Sequence, residues 1–178
     1  MNIFVAGVHG VGKTFLASRL PTAHGLMHTS ASKLIREEQM MPNWGDDKRV
    51  GDVDANQIAL AAAVKRHNGR GTRLLLDGHF VLLDAEGKFS RIGTDVFRSL
   101  NLDAVVLLEV PPATISQRIH ERDGRVVSVE DLTDFIAAER AQAQLVCEQI
   151  GIPLNVLTSP SPEIFAQTVA AFAAGSGE

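Results

Sequence analysis

An α/β fold built on a five-stranded parallel sheet is what this sequence predicts, and three observations predict it. The apolar run Ile3-Phe4-Val5-Ala6 leads into Gly7-Val8-His9-Gly10-Val11-Gly12-Lys13-Thr14, and then into Phe15-Leu16-Ala17-Ser18-Arg19-Leu20 before Pro21. That is a strand, a glycine loop and a helix. Short apolar runs recur near residues 2–6, 25–28, 72–77, 104–109 and 153–157, each followed by helical or loop material. Such alternation makes a parallel sheet covered by helices on both faces, three layers in all, with right-handed crossovers. Finally, Arg73-Leu74-Leu75-Leu76-Asp77 is an unbroken apolar run closed by an acid, the pattern of a strand buried on both faces with a carboxylate at the sheet edge where ligands bind.

Composition bounds the rest. The 178 residues, 45% hydrophobic and 21% charged with a net charge of −4, are read as one domain over 1–178, large enough for a core without disulfides or metals. The negative charge argues against a broad nucleic-acid footprint, so no DNA partner is expected. A lone cysteine, Cys147, fits a reducing compartment. No apolar run approaches a membrane span and the chain starts directly with a strand, so a cytoplasmic location and no membrane contact are expected.

The elements follow in order. Gly25-Leu26-Met27-His28 reads as a short strand, and Ser30 caps a helix running to Met40. A second helix spans about Asp54 to His67, with Ile58, Ala59, Ala62 and Ala63 on its apolar side. Residues 80–92 form a hairpin around the turn Asp84-Ala85-Glu86-Gly87, and a short helix follows from Thr94 to Leu100. After the strand Ala104–Glu109, Pro111-Pro112 opens a helix, and Ser128-Val129-Glu130-Asp131 caps a long one that closes at Gly151. The last helix begins at Ser161-Pro162, with Ile164, Phe165, Val169 and Phe172 as its core stripe.

The glycine loop carries the sharpest chemistry. It fits G-x-x-x-x-G-K-[ST], and four such fixed positions arise by chance in a chain of this size about once in a hundred times or fewer. Phosphates lie against bare backbone N–H groups, which selects glycine at Gly7, Gly10 and Gly12. The nucleotide-binding set is Gly7, Gly10, Val11, Gly12, Lys13, Thr14 and Phe15, with Lys13 on the β- and γ-phosphates and Thr14 offering its hydroxyl to Mg²⁺. Asp77, at the same sheet edge, holds the metal through water. Arg118 and Arg122 share one helix face and Arg125 follows Gly124; all three are expected to point at the transferring phosphates as fork donors. His79 stands beside Asp77 and is a candidate to orient the acceptor. Trp44 is a candidate to stack on a base. His9 reads as an incidental solvent-facing residue, and Glu109 as a hydrogen-bonded structural acid.

Together these residues resemble the nucleoside monophosphate kinase branch of P-loop proteins, most of all the archaeal-type and ribosome-assembly-associated adenylate kinases. The loop, Asp77-Gly78-His79 after an apolar strand, the hairpin with Ile92–Leu100 behind it, and Arg118–Arg125 ahead of a long helix carry the resemblance. It implies a P-loop NTPase fold with sheet order 2-3-1-4-5, an acceptor-binding flap over about 30–68, and a short lid over about 118–128. Ser30-Ala31-Ser32-Lys33-Leu34-Ile35-Arg36 is similar to the acceptor segment S-T-G-D-M-L-R, which implies that Ser30 and Arg36 bind the acceptor. The implied activity is transfer of the ATP γ-phosphoryl, with Mg²⁺, to a nucleotide acceptor, adenylate first. Lys13, Asp77, His79, Arg118 and Arg122 then make up the catalytic group. Two alternatives remain: a kinase of a nucleoside or other small alcohol, and a nucleotide-switched ATPase acting through a protein or ribonucleoprotein partner.

Overall fold

The computed structural model describes residues 2–20, 25–40, 53–84 and 86–175. Five parallel strands form its sheet: β1 (Asn2–Ala6), β2 (Leu26–Ser30), β3 (Arg73–Asp77), β6 (Leu102–Glu109) and β7 (Leu154–Thr158), in the order β2-β3-β1-β6-β7. A separate antiparallel pair, β4 (Val81–Leu83) and β5 (Phe89–Arg91), is the expected hairpin. With these two strands left out of the count, the order is the expected 2-3-1-4-5.

All five residues of β1 are buried, because the strand lies between β3 and β6 and both its faces are covered. The register sets Val5 beside Asp77. An acid at the end of β3 therefore stands next to the start of the glycine loop.

Alternate residues of the strands feed two cores. Phe4, Leu74, Leu76, Val105 and Leu107 pack with Leu34 of α2 (Ala31–Gln39), Ala63 and Val64 of α3 (Val53–Gly69), Phe97 of α4 (Thr94–Ser99), and Ala143 and Val146 of α6 (Val129–Ile150). Phe80 stacks on Phe97 at 4.4 Å and meets Phe4 edge-on at 5.3 Å, fixing the start of the hairpin to this core. On the opposite face, Ile3, Val5, Leu75, Val106 and Leu108 pack with Leu16 of α1 (Lys13–Ala17), Ile115 and Ile119 of α5 (Pro112–Asp123), and Phe165 and Val169 of α7 (Pro162–Gly175).

Helix ends follow the sequence signals. The Ser30 hydroxyl accepts the Lys33 N–H, Ser128 accepts those of Glu130 and Asp131, Pro112 opens α5, and Gly151 closes α6 in a left-handed conformation. Three expectations need correction. α1 ends at Ala17, after which Arg19 and Leu20 bond three residues back and tighten the chain. Ile58 is exposed, the buried stripe of α3 being Ala55, Ala59, Leu60, Ala63 and Val64. Ile164 is also exposed: it stands one residue before Phe165, and a rotation of about 100° per residue carries it off the core face.

Phe165 is fully buried and lines none of the site cavities described below. Phe165→Ala should cost about 3–5 kcal/mol in urea unfolding while leaving nucleotide binding at low temperature unchanged.

Candidate active site

The loop after β1 takes the shape its glycines allow. Gly7, Gly10 and Gly12 have φ of 140°, 88° and 107°, values that a side chain rarely tolerates. A Cβ on Gly7 would stand 2.5 Å from the Leu108 carbonyl oxygen. Lys13 follows with its side chain folded back on the loop: its Nζ donates to the Gly7 carbonyl at 2.6 Å and to that of Val8 at 3.4 Å. Only 8% of the residue is exposed. Burial pulls its pKa down to about 8, against the attraction of Asp77 and Glu139. That shift from 10.5 makes holding the ammonium inside cost roughly 3 kcal/mol at neutral pH.

Lys13, Thr14, Asp77, His79, Arg118 and Arg122 share one cavity of about 460 Å³. Arg118 reaches over from α5 and donates to the Val11 carbonyl at 3.2 Å. Arg122 forks onto its neighbour Asp123 at 2.7 and 2.5 Å, and donates to His9 Nε2 at 2.6 Å. His9 is thus exposed but not idle. It accepts through Nε2, which assigns the proton to Nδ1, and burial followed by the nearby Arg122 and Lys13 charges keep its pKa low.

The third arginine does not join them. Gly124 ends α5 at φ 66°, and the chain turns away there. Arg125 lines another cavity instead, with Phe89 of the hairpin and Phe135 of α6. Val11 and Phe15 line a groove of about 380 Å³ beyond the loop, together with Arg118, Val110, Ser159 and Pro160.

A further cavity of about 310 Å³ opens beside the phosphate cavity, and Ser30, Ser32, Asp77 and His79 line both. Its walls are Phe4, Ile35, Leu60, Phe97 and Leu100, with the amides of Asn56 and Gln57. Arg36 is exposed and not among its lining residues, one helical turn past Ser32. Trp44 lies outside the described residues.

Asp77 accepts a hydrogen bond from His28 Nε2 at 2.7 Å, a contact between neighbouring strands that no local motif announces. His79 is held neutral: burial first, then the Lys13 charge, push its pKa down to about 3. Its Nδ1 is buried with no hydrogen-bond partner among the described residues. Sequence reading also missed Glu139, a residue only 1% exposed. It accepts N–H groups from Gly7 at 3.3 Å, Phe80 at 3.0 Å and Val81 at 2.7 Å. Burial raises its pKa, opposed by these N–H groups and by Lys13. Glu109 is paired with Arg140 of α6, as a structural acid should be.

A phosphate-binding glycine loop on a five-stranded parallel sheet of this order defines the P-loop kinase fold. The chain belongs to the AAA domain family, whose model matches residues 6–135. Among solved structures it is similar to a gluconokinase from Sinorhizobium meliloti 1021, with 17% identity and a TM-score of 0.56 over 98% of this chain and 92% of that one. It is also similar to a shikimate kinase from Acinetobacter baumannii in complex with shikimate, with 16% identity and a TM-score of 0.59 over 99% and 94% of the two chains. An uncharacterized protein from Eubacterium ventriosum ATCC 27560 matches with 11% identity and a TM-score of 0.55 over 98% of each chain. No curated protein matches in sequence. Among the described residues no helix is long and apolar enough to cross a membrane.

The Lys13 shift gives a signed test. Below pH 8 the ammonium is charged and ready for phosphate; above it the empty site loses that charge. ATP affinity should fall as pH rises through 8, and binding at pH 8.5 should take up a proton, since phosphate restores the charged form. Calorimetry in buffers of different ionisation enthalpy reads that uptake; its absence would contradict the buried ammonium.

Proposed function

We propose that this chain is an ATP-dependent phosphotransferase that delivers the γ-phosphoryl group to a hydroxyl of a small acceptor bearing an apolar ring, such as a nucleoside. One observation carries the reading: a largely apolar cavity opens into the phosphate cavity through Ser30, Ser32, Asp77 and His79. Polar groups at its mouth and an apolar floor suit a ring-bearing alcohol whose reactive end faces the glycine loop. The likeness to a gluconokinase and a shikimate kinase supports an alcohol acceptor on this fold.

The residues present fit Mg²⁺-ATP. The three glycines leave the loop backbone bare, where a Cβ on Gly7 would collide. Lys13 supplies the cation, and the Thr14 hydroxyl is an oxygen donor of the kind that holds a magnesium ion together with water and the phosphates. When bound, Mg²⁺-ATP supplies the phosphoryl group and neutralises charge between the phosphates. The groove lined by Phe15, Arg118 and Pro160 suits the donor base. Lys13, Arg118 and Arg122 stabilise the charge that spreads over the phosphoryl oxygens during transfer. Asp77, oriented by His28, takes the hydroxyl proton as the acceptor oxygen bonds to phosphorus and ADP leaves. His79, being neutral and a weak base, serves as a hydrogen-bonding group rather than a proton acceptor. Residues 118–128 act as the lid and 30–68 as the acceptor flap of a single domain, excluding water that would otherwise compete for the phosphoryl.

A nucleoside monophosphate acceptor is the second reading, supported by Ser30, the acceptor residue the resemblance implies, which lines the cavity. It requires a cation on the acceptor phosphate. Among the described residues that line the cavity there is no lysine or arginine, and Arg36 would have to swing inward.

ADP formation with Mg²⁺-ATP against nucleosides, nucleoside monophosphates, other small alcohols and a no-acceptor control decides the matter. A ring-bearing alcohol should stimulate turnover, and Lys13→Ala and Arg118→Ala should each lower it by about 10²-fold or more. Stimulation by monophosphates alone would transfer the assignment to the second reading. Slow, Lys13-dependent hydrolysis that no acceptor alters would leave a nucleotide-switched ATPase working through a macromolecular partner.

A further inference from the structure

Glu139 lies 132 residues from Gly7 in sequence, outside every motif of the chain. Its carboxylate is nevertheless the single acceptor for N–H groups from both sides of the site. One belongs to the peptide entering the glycine loop at Gly7; the other two belong to the successive peptides at Phe80 and Val81. The Phe80 N–H is part of the peptide that joins it to His79, two residues past Asp77. The same Gly7 offers its carbonyl to Lys13 at 2.6 Å, so Glu139 and Lys13 grip one residue from its two ends.

The helix that bears Glu139 is fastened at further points along this edge. Arg140 forks onto Glu109 at the end of β6, and Gln142 donates to the Ile92 carbonyl just past β5 at 2.8 Å. α6 starts at Val129, directly behind the lid segment. A buried carboxylate with several N–H partners has few ways to reorient, which makes this contact a rigid joint.

We propose that Glu139 is a positioning residue for phosphoryl transfer: by holding the entry of the glycine loop and the His79-bearing peptide on one carboxylate, it fixes the spacing between donor and acceptor. The proposal rests on the kinase reading for its kinetic consequence, but the mechanical link stands on geometry alone and is tested separately.

In Glu139→Gln one oxygen becomes an amide that faces N–H groups it cannot accept. Glu139→Asp keeps the charge on a shorter arm and serves if the glutamine variant does not fold. Each variant is compared per folded molecule, judged by circular dichroism and thermal melting. Arg140→Ala controls for loosened docking of the same helix and should lower the melting temperature without a loss of kcat. With the best acceptor found, Glu139→Gln should lower kcat at least tenfold while the Kd for Mg²⁺-ATP changes less than threefold. A merely structural carboxylate would leave kcat per folded molecule within twofold, which would overturn the kinetic role.

Hydrogen–deuterium exchange with a non-hydrolysable ATP analogue needs no acceptor. Analogue binding should protect the peptide spanning residues 78–83 in the wild type as well as the glycine loop; in the variants, protection should persist at the loop and vanish at 78–83. Equal protection in wild type and variants would overturn the link itself. If no acceptor is found in the wild type, the kinase reading fails in the turnover assay and this exchange pattern alone decides the joint.

Discussion

One buried positive charge sets the terms for the rest of the structure. The Lys13 ammonium is held away from water against the Gly7 carbonyl, and a charge in that position is costly unless opposite charge or dipoles surround it. The fold supplies them from distant places: Asp77 arrives at the end of β3 because β3 is the neighbour of β1, and Glu139 arrives on the helix lying across the sheet edge. Gly7 is at the centre of the arrangement. It must lack a side chain because the Leu108 backbone crosses at contact distance, so the packing of β6 beside β1 by itself dictates a glycine at the entry of the loop. Under the kinase reading, the same bare backbone is what a phosphate needs.

How much of this was legible in the sequence depended on how far apart the partners lie along the chain. The glycine loop, the strand ending in Asp77, the hairpin and the capped helices are local patterns, governed by backbone geometry over a few residues, and each is found where the pattern puts it. Arg118 and Arg122 also obey helical spacing. Arg125 lies outside the phosphate cavity, because placement past a helix end depends on the terminating conformation, and after the left-handed turn at Gly124 it lines the neighbouring cavity, which shares His9 and Ile119 with the first. Arg36 shows the same limit from the other side: its motif neighbours Ser30 and Ser32 do line the cavity, while Arg36, one turn on, faces outward.

His28 and Glu139 were not legible at all. His28 meets Asp77 only because β2 and β3 pair in parallel, and Glu139 sits in a helix whose periodicity marks it merely as one polar residue among many. A buried acid in a long helix is an exception that periodicity cannot explain and only tertiary contacts can. Glu109, at the end of a strand on the same edge, reads as a hydrogen-bonded structural acid, and its pairing with Arg140 agrees. Position at the sheet edge nominates a carboxylate; its partner decides what it does.

Under the kinase reading, the hairpin gives the acceptor side its individuality. Successive residues of a strand point to opposite sides, and β4 uses this directly: Leu82 lines the cavity shared with Asp77 and His79, whereas Leu83 lines the one holding Arg125, Phe89 and Phe135. A one-residue step along one short strand therefore separates the cavity beside Asp77 from a neighbouring aromatic one. Because the hairpin is anchored at Phe80 by stacking on Phe97 and by the N–H bonds to Glu139, this wall is fixed to the same carboxylate as the glycine loop. Under the kinase reading, acceptor choice is then set less by flexible flap residues than by a partition built rigidly onto the phosphate site. A change in the hairpin would alter which acceptor fits while leaving the grip on the donor phosphates intact.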